Sequence, residues 1–417
     1  MVPLAGLANT AFLGHLAEIG SLAGVALTTV LFNYIYWTFG FLRMGTTGTT
    51  AQAVGRGDRD TVLLIGLRHG LLALAIGLLI LLLQSPLRSL GFALLSAAPD
   101  AEAAGKAYYD ALIWGAPATL INYVLIGWFL GQGQSRKVLL LSLVSNASNV
   151  LLDYELILRL GWESTGAGLA TAASQYLMLL TGIVLIAQDV QAVTVVRIRS
   201  LAAQLLDTSA VKAAFLLNRE ILIRTFALVS TFALFTQISS GLGTDILSTN
   251  AILLQVVGLA SYFIDGLAFA TESLAGVLLG QGNSAELSRL LRVSGGTSLG
   301  IGLLFAIAFV LFPLPLCKLL TNHSEILDHL PTVVPWLLPV LGFGSIAYML
   351  DGYFLGLAQG PILRQSTLIA AIAGFPPGAI AAWYWHSSPL LWFALACFMA
   401  ARAITLGLQV PRSLRAF

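Results

Sequence analysis

Long apolar runs, each ended by a short polar or charged cluster, follow one another along this chain with little interruption. A helical run of about 20 apolar residues crosses the roughly 30 Å of bilayer hydrocarbon, so each run predicts a membrane span. The first ends near His15, and others cover 22–54, 61–83, 102–131, 136–158 and 164–187. A polar stretch at 189–207 reads as a surface connector, and six more runs cover 212–241, 246–280, 287–312, 326–358, 362–385 and 389–410. The pattern predicts an all-α integral membrane protein of twelve helices, arranged as two six-helix lobes at 1–188 and 208–417.

The two halves are copies. YVLIGWFLG at 123–131 recurs as YMLDGYFLG at 348–356, and VGRGD at 54–58 aligns with LGQGN at 279–283 at the same offset of 225 residues. Two matches sharing one offset mark a duplicated module, a common construction among membrane transporters. The offset serves as a ruler. The seventh run starts near Lys212, so the equivalent start of the first run falls before Met1, and a short, truncated first helix is expected.

Charge supports the count of spans. Of 21 Lys and Arg, sixteen are assigned to loops on one side, among them Arg56, Arg59, Arg136, Arg224, Arg289, Arg402 and Arg412. Four (Arg88, Lys106, Arg159, Lys318) are assigned to the other side, and Arg43 falls within a span. The positive-inside rule then places both termini and the connector in the cytoplasm of a cell bounded by this inner membrane. Six spans per half make the halves parallel repeats.

Composition agrees, with 58% hydrophobic and only 10% charged residues where a soluble domain carries about a quarter charged. No basic block suggests nucleic acid. Cys317 and Cys397 form no metal or redox motif, and a lone GxG says little about nucleotides. No Walker loop, HExxH or GxSxG motif is present, and the carboxylates are scattered singly over several spans. That distribution suits ion-coupled transport better than an enzyme. No cofactor is expected beyond a proton or sodium as coupling ion.

Ionisable groups within spans are costly and mark function by default. Asp153 follows Asn149 by four residues, which puts both on one helix face. A carboxylate beside a carboxamide can take up a proton or coordinate sodium; the alternative is a solvated Asp153 at the end of its span. Asp265 and Glu272 lie two turns apart on one face of the eighth run, where mutual repulsion would resist ionisation. Arg43, opposite Ala268 at the 225 offset, needs a partner and could pair with them. Asp351 is a charge whose counterpart is Ile126. Arg219 and Glu220 suit a gate or a solvated helix start. Tyr34 and Tyr262 are among the aromatics able to wall a cavity for hydrophobic cations.

The segments GLANTAFLGHL, FLRMGTTGTTAQAVGRGD, GWFLGQGQSRKVL, NREILIRT and IDGLAFATESLAG resemble the DinF branch of the multidrug and toxic compound extrusion family across nearly the whole chain. The resemblance implies two six-helix bundles around a central cavity. It also implies export of small organic compounds, often cationic or amphipathic, driven by proton or sodium influx. It implies that Asn149, Asp153 and Thr171 form a cation site. The family's first-helix aspartate is replaced here by Asn9, which offers an oxygen but cannot carry a proton. A monomer in the lipid bilayer is expected. The rival readings are a flippase of lipid-linked saccharides, which would need a strongly cationic cavity, and a relic with impaired coupling.

Overall fold

The computed structural model describes residues 19–94, 99–190, 204–205, 207–318 and 330–415, and among them every element is helical. The expected short first helix, Asn9 included, lies outside the described residues. In chain order the helices are α1 Ile19–Thr38, α2 Phe41–Gly55, α3 Arg59–Leu82, α4 Gln84–Leu94, α5 Pro99–Leu112, α6 Ala116–Gly131, α7 Ser135–Asp153 and α8 Glu163–Val190. They continue with α9 Thr208–Gly241, α10 Thr244–Gly280, α11 Ser284–Leu311, α12 Pro313–Cys317, α13 Leu337–Gly356, α14 Gly360–Ile369, α15 Pro376–Trp385, α16 Ser388–Gly407 and α17 Val410–Arg415. Short π-turns at Tyr154–Arg159 and Ala370–Gly374 prolong α7 and α14.

Among the described residues ten helical stretches are long and apolar enough to cross a membrane. The predicted run at 136–158 is not one of them, because α7 carries Ser142, Ser145, Asn146, Ser148, Asn149 and Asp153. Its polarity is turned inward. Ser142, Asn149 and Asp153 are buried while Leu139, Leu143 and Leu151 are exposed, as a helix facing lipid requires.

The chain divides into two compact units. Met1–Thr46 with Arg59–Ala214 forms unit 1, and Thr47–Asp58 with Phe215–Phe417 forms unit 2. The predicted connector falls mostly outside the described residues. Its end is anchored in unit 1, where Arg68 donates to the carbonyls of Gln204 and Leu205. Asp207 then starts α9 as its N-cap, accepting from the Ser209 backbone N–H at 3.1 Å. The Ser209 hydroxyl and backbone hold the exposed Asp207 carboxyl below the usual aspartate range.

The 225-residue ruler extends to atomic detail. Helices α3 and α11 begin at Arg59 and Ser284, α7 and α14 at Ser135 and Gly360, and α8 and α16 at Glu163 and Ser388. Four helices stop in the same way, with paired backbone bonds closing the last turn. Gly57 donates to Val54 O and Asp58 to Ala53 O; Gly282 donates to Leu279 O and Asn283 to Leu278 O. Gly133 and Gln134 repeat the pattern on Leu130 and Phe129, and Ala358 and Gln359 repeat it on Leu355 and Phe354. The stop needs a left-handed residue, and Gly57, Gly282 and Gly133 supply it at φ 71°, 70° and 71°. Ala358 takes the same role at φ 55° with a side chain attached. The repeated G-x-G motif is therefore a helix stop followed by a cap, as Asn283 shows by accepting from Glu286 N–H.

Close crossings repeat as well. A Cβ on Gly127 would stand 2.4 Å from the Arg43 carbonyl oxygen in unit 1, and one on Gly352 would stand 2.3 Å from that of Ala268 in unit 2. Gly55 and Gly280, themselves equivalents, meet within unit 2. A Cβ on the first would fall 2.1 Å from Val277 O, and on the second 2.2 Å from Gln52 O. The core of unit 2 gathers Phe235, Leu253, Leu337, Trp392 and Phe398, each with no exposed surface. Within it Asn250 accepts from Trp392 Nε1 at 2.8 Å and Ser388 Oγ at 3.0 Å, and donates to Ser239 Oγ.

Candidate functional site

In unit 1 the fourfold spacing of α7 brings Asn149 and Asp153 to one face, and neither has any exposed surface. The solvated reading of Asp153 does not hold. The π-turn begins at the next residue and sends the chain outward to an exposed Glu155–Arg159 ion pair at 3.0 Å. Thr171 of α8 faces this set. Its hydroxyl donates to Ala167 O at 3.0 Å and accepts from Asn149 Nδ2 at 3.2 Å. That donation leaves Asn149 Oδ1 buried with no hydrogen-bond partner among the described residues. An orphaned amide oxygen one turn from a buried carboxylate suits a cation or a proton-bearing ligand. No cluster of three or more His, Cys, Asp or Glu side chains is present among the described residues, so an ion here would rest on neutral oxygens and one carboxylate.

Unit 2 is built differently. Asp351 of α13 is 3% exposed, and its Oδ2 accepts from Arg224 of α9 and from Arg402 of α16. Arg402 has no exposed surface; its guanidinium lies 5.3 Å from the Tyr348 ring and 5.6 Å from that of Phe398. Linear counting of basic residues places both arginines in loops, and the structure corrects this. They sit inside helices because a carboxylate from a third helix neutralises them. One turn before Arg224, the 4% exposed Glu220 pairs with Arg219 at 2.6 Å and with Arg364 of α14 at 2.7 Å. A solvated helix start is thus ruled out for Glu220, though Arg219 remains half-exposed.

Glu272 of α10 is fully buried and Asp265 half-buried, both in unit 2. Arg43 is a half-buried residue of unit 1. Tyr262 is 57% exposed on α10, and the side chain of Tyr34 lies outside the described residues.

The ruler shows that the two polar centres are not duplicates. Asn149, Asp153 and Thr171 correspond to Gly374, Gly378 and Ala396, while Asp351 and Arg402 correspond to Ile126 and Leu177. Each centre belongs to one half alone.

A duplicated all-helical membrane chain with polar centres buried inside its spans has the build of a multi-pass membrane transporter, and the MatE family profile matches residues 1–155 and 221–380. The chain belongs to this family of multidrug and toxic compound extrusion transporters. It is 32% identical over 411 residues to the DNA damage-inducible protein F of Escherichia coli (strain K12), covering 97% of this chain and 87% of that protein. A probable multidrug resistance protein NorM of Thermotoga maritima is 25% identical over 342 residues, covering 78% and 70%. Among solved structures, a MATE transporter in the bent conformation superposes with a TM-score of 0.88 at 20% identity, covering 99% of this chain and 91% of that one. An outward-facing multidrug resistance MATE transporter gives 0.87 at 20% identity, covering 99% and 92%. These likenesses establish the MATE fold.

Proposed function

We propose that the chain is a secondary active antiporter that exports small organic compounds, cationic or amphipathic in character, against an inward flow of sodium or protons. The ion binds at Asn149, Asp153 and Thr171. The observation that carries this reading is the fully buried Asn149–Asp153 face on Thr171, with the Asn149 amide oxygen left for a ligand. A carboxylate without exposed surface inside a bilayer is costly, so ion binding there changes the free energy of whichever tilt of the bundles exposes it. Substrate is released outward as the bundles alternate. The protein works as a monomer in the inner membrane with both termini in the cytoplasm, as the distribution of basic loops suggests. Relatives bearing a multidrug resistance name support the substrate class.

The test is dye efflux from liposomes holding the purified protein, driven in turn by a sodium and a proton gradient. Asp153→Asn is expected to abolish the gradient-driven component while the protein stays folded. Undiminished coupled efflux would refute the assignment. Asn9→Asp should add or strengthen proton drive if that position joins the site, and an unaltered pH profile would exclude it.

A further inference from the structure

Unit 1 holds a second set of oxygens, on the buried Asn122 and the part-buried Ser145 and Gln175, that the Asn149 centre does not use. Ser145 lies one turn before Asn149 on the same face of α7, and Gln175 lies one turn after Thr171 on the same face of α8. Gln175 Nε2 donates to Ser145 Oγ at 3.5 Å. From α6, Asn122 donates its Nδ2 to the Gln175 backbone oxygen at 2.9 Å and to Gln175 Oε1 at 3.0 Å. Those two acceptors fix the amide, since turning it over would set oxygen against oxygen. Asn122 is only 1% exposed, yet its Oδ1 has no hydrogen-bond partner among the described residues. Buried polar atoms are paired in the great majority of cases, and here two orphaned amide oxygens stand on successive turns of one ladder.

We propose that Asn122, Gln175 and Ser145 form a second station for sodium, one helical turn from the Asn149–Asp153–Thr171 set. The proposal rests on the reading of that outer set as an ion site. Carboxamide and hydroxyl oxygens are ligands for a hard cation, and none of these three groups takes up a proton near neutral pH. The station therefore serves a metal ion and not a proton. Without a carboxylate it holds the ion more weakly than the Asp153 rung, so the two are filled in turn. Past the station apolar side chains meet beside the buried Ser142 of α7. Leu125 and Leu141 converge on Gly182 of α8, and Met178 is buried beside that stretch. This closes the ladder, and the ion leaves by the way it came. At the 225 offset the three residues become Ala347, Ala400 and Ala370, so the oxygens are no requirement of the duplicated helix packing.

Thallium(I), a sodium and potassium surrogate visible by anomalous scattering, tests this in crystals of the full chain. The wild type is expected to show density at both stations. Asn122→Leu should keep the outer density, lose the inner one and require roughly tenfold more NaCl for the same sodium-dependent rise in melting temperature. Asn122→Asp keeps an oxygen and adds charge, so inner density should strengthen; this variant carries the test should the leucine variant misfold. Density at the outer set alone, with unchanged sodium dependence in Asn122→Asp, would overturn the second station and leave the outer site standing. Density at neither set would overturn both.

Discussion

Replacing Asp351 with Asn removes a carboxylate that Arg224 and Arg402 share in unit 2, while keeping shape and volume. The side chains of Asp351, Arg224 and Arg402 are 5%, 7% and 0% exposed, so water cannot take over the lost pairing. Breaking one buried ion pair by removing a partner costs about 3–5 kcal/mol. Two pairs converge on one oxygen, so their costs do not add, and the upper part of that range is expected. Unit 2 has about 215 residues, for which each kcal/mol shifts melting by about 2–4 °C, so a loss of about 4–5 kcal/mol should lower the melting temperature by roughly 8–20 °C. The assay is built into the chain. Both cysteines, buried Cys317 and partly buried Cys397, lie in unit 2, and a fluorogenic maleimide reports when heat exposes them. Replacing all three charges, as Arg224→Met, Asp351→Leu and Arg402→Met together, should recover most of the loss because no charge is left buried. Arg402 already lies among Tyr348, Phe398 and Met399, which would accept a methionine. If Asp351→Asn melts within about 2 °C of the parent, as a surface substitution would, the triad is not a structural staple.

Ala358→Gly should stabilise unit 2 by about 0.5–1 kcal/mol, because Ala358 holds φ 55° where its three equivalents are glycine; an unchanged or lower melting temperature would contradict this. Gly280→Ala should destabilise by about 1–3 kcal/mol or more and broaden the size-exclusion profile, since its Cβ meets the Gln52 carbonyl at 2.2 Å; a wild-type profile and melt would refute the close crossing. Asn250→Leu strands the buried Trp392 indole N–H and two serine hydroxyls, and should cost about 2–4 kcal/mol by the same thiol-dye melt.

The duplicated helices were legible because backbone rules are local. An αL glycine, a capping Asp or Asn and a run of apolar residues can each be read without knowing what lies opposite, and they recur at a fixed offset. The interior chemistry was less legible, for one reason in both units. Arg224 and Arg402 counted as loop cations because a linear sequence shows a charge but not its counter-charge, and Asp351 lies 127 and 51 positions away from them. A usable signal existed in part, since Glu220 and Arg224 are one turn apart on a single face. Asn122 and Gln175 carry no net charge and depress hydropathy only slightly, so nothing separates them from helix-packing residues until their side chains are seen to meet. Asn149 and Asp153 could be found because both lie on one helix.

The meeting of Gly55 with Gly280 ties the two gene copies together. Each glycine makes room for a carbonyl belonging to the other copy's helix, so a methyl gained on either side is felt by both. Elsewhere the duplicated halves were able to drift apart, one acquiring buried amides and the other buried guanidinium groups. At this crossing they could not, and any substitution accepted in one copy had to be compatible with its twin.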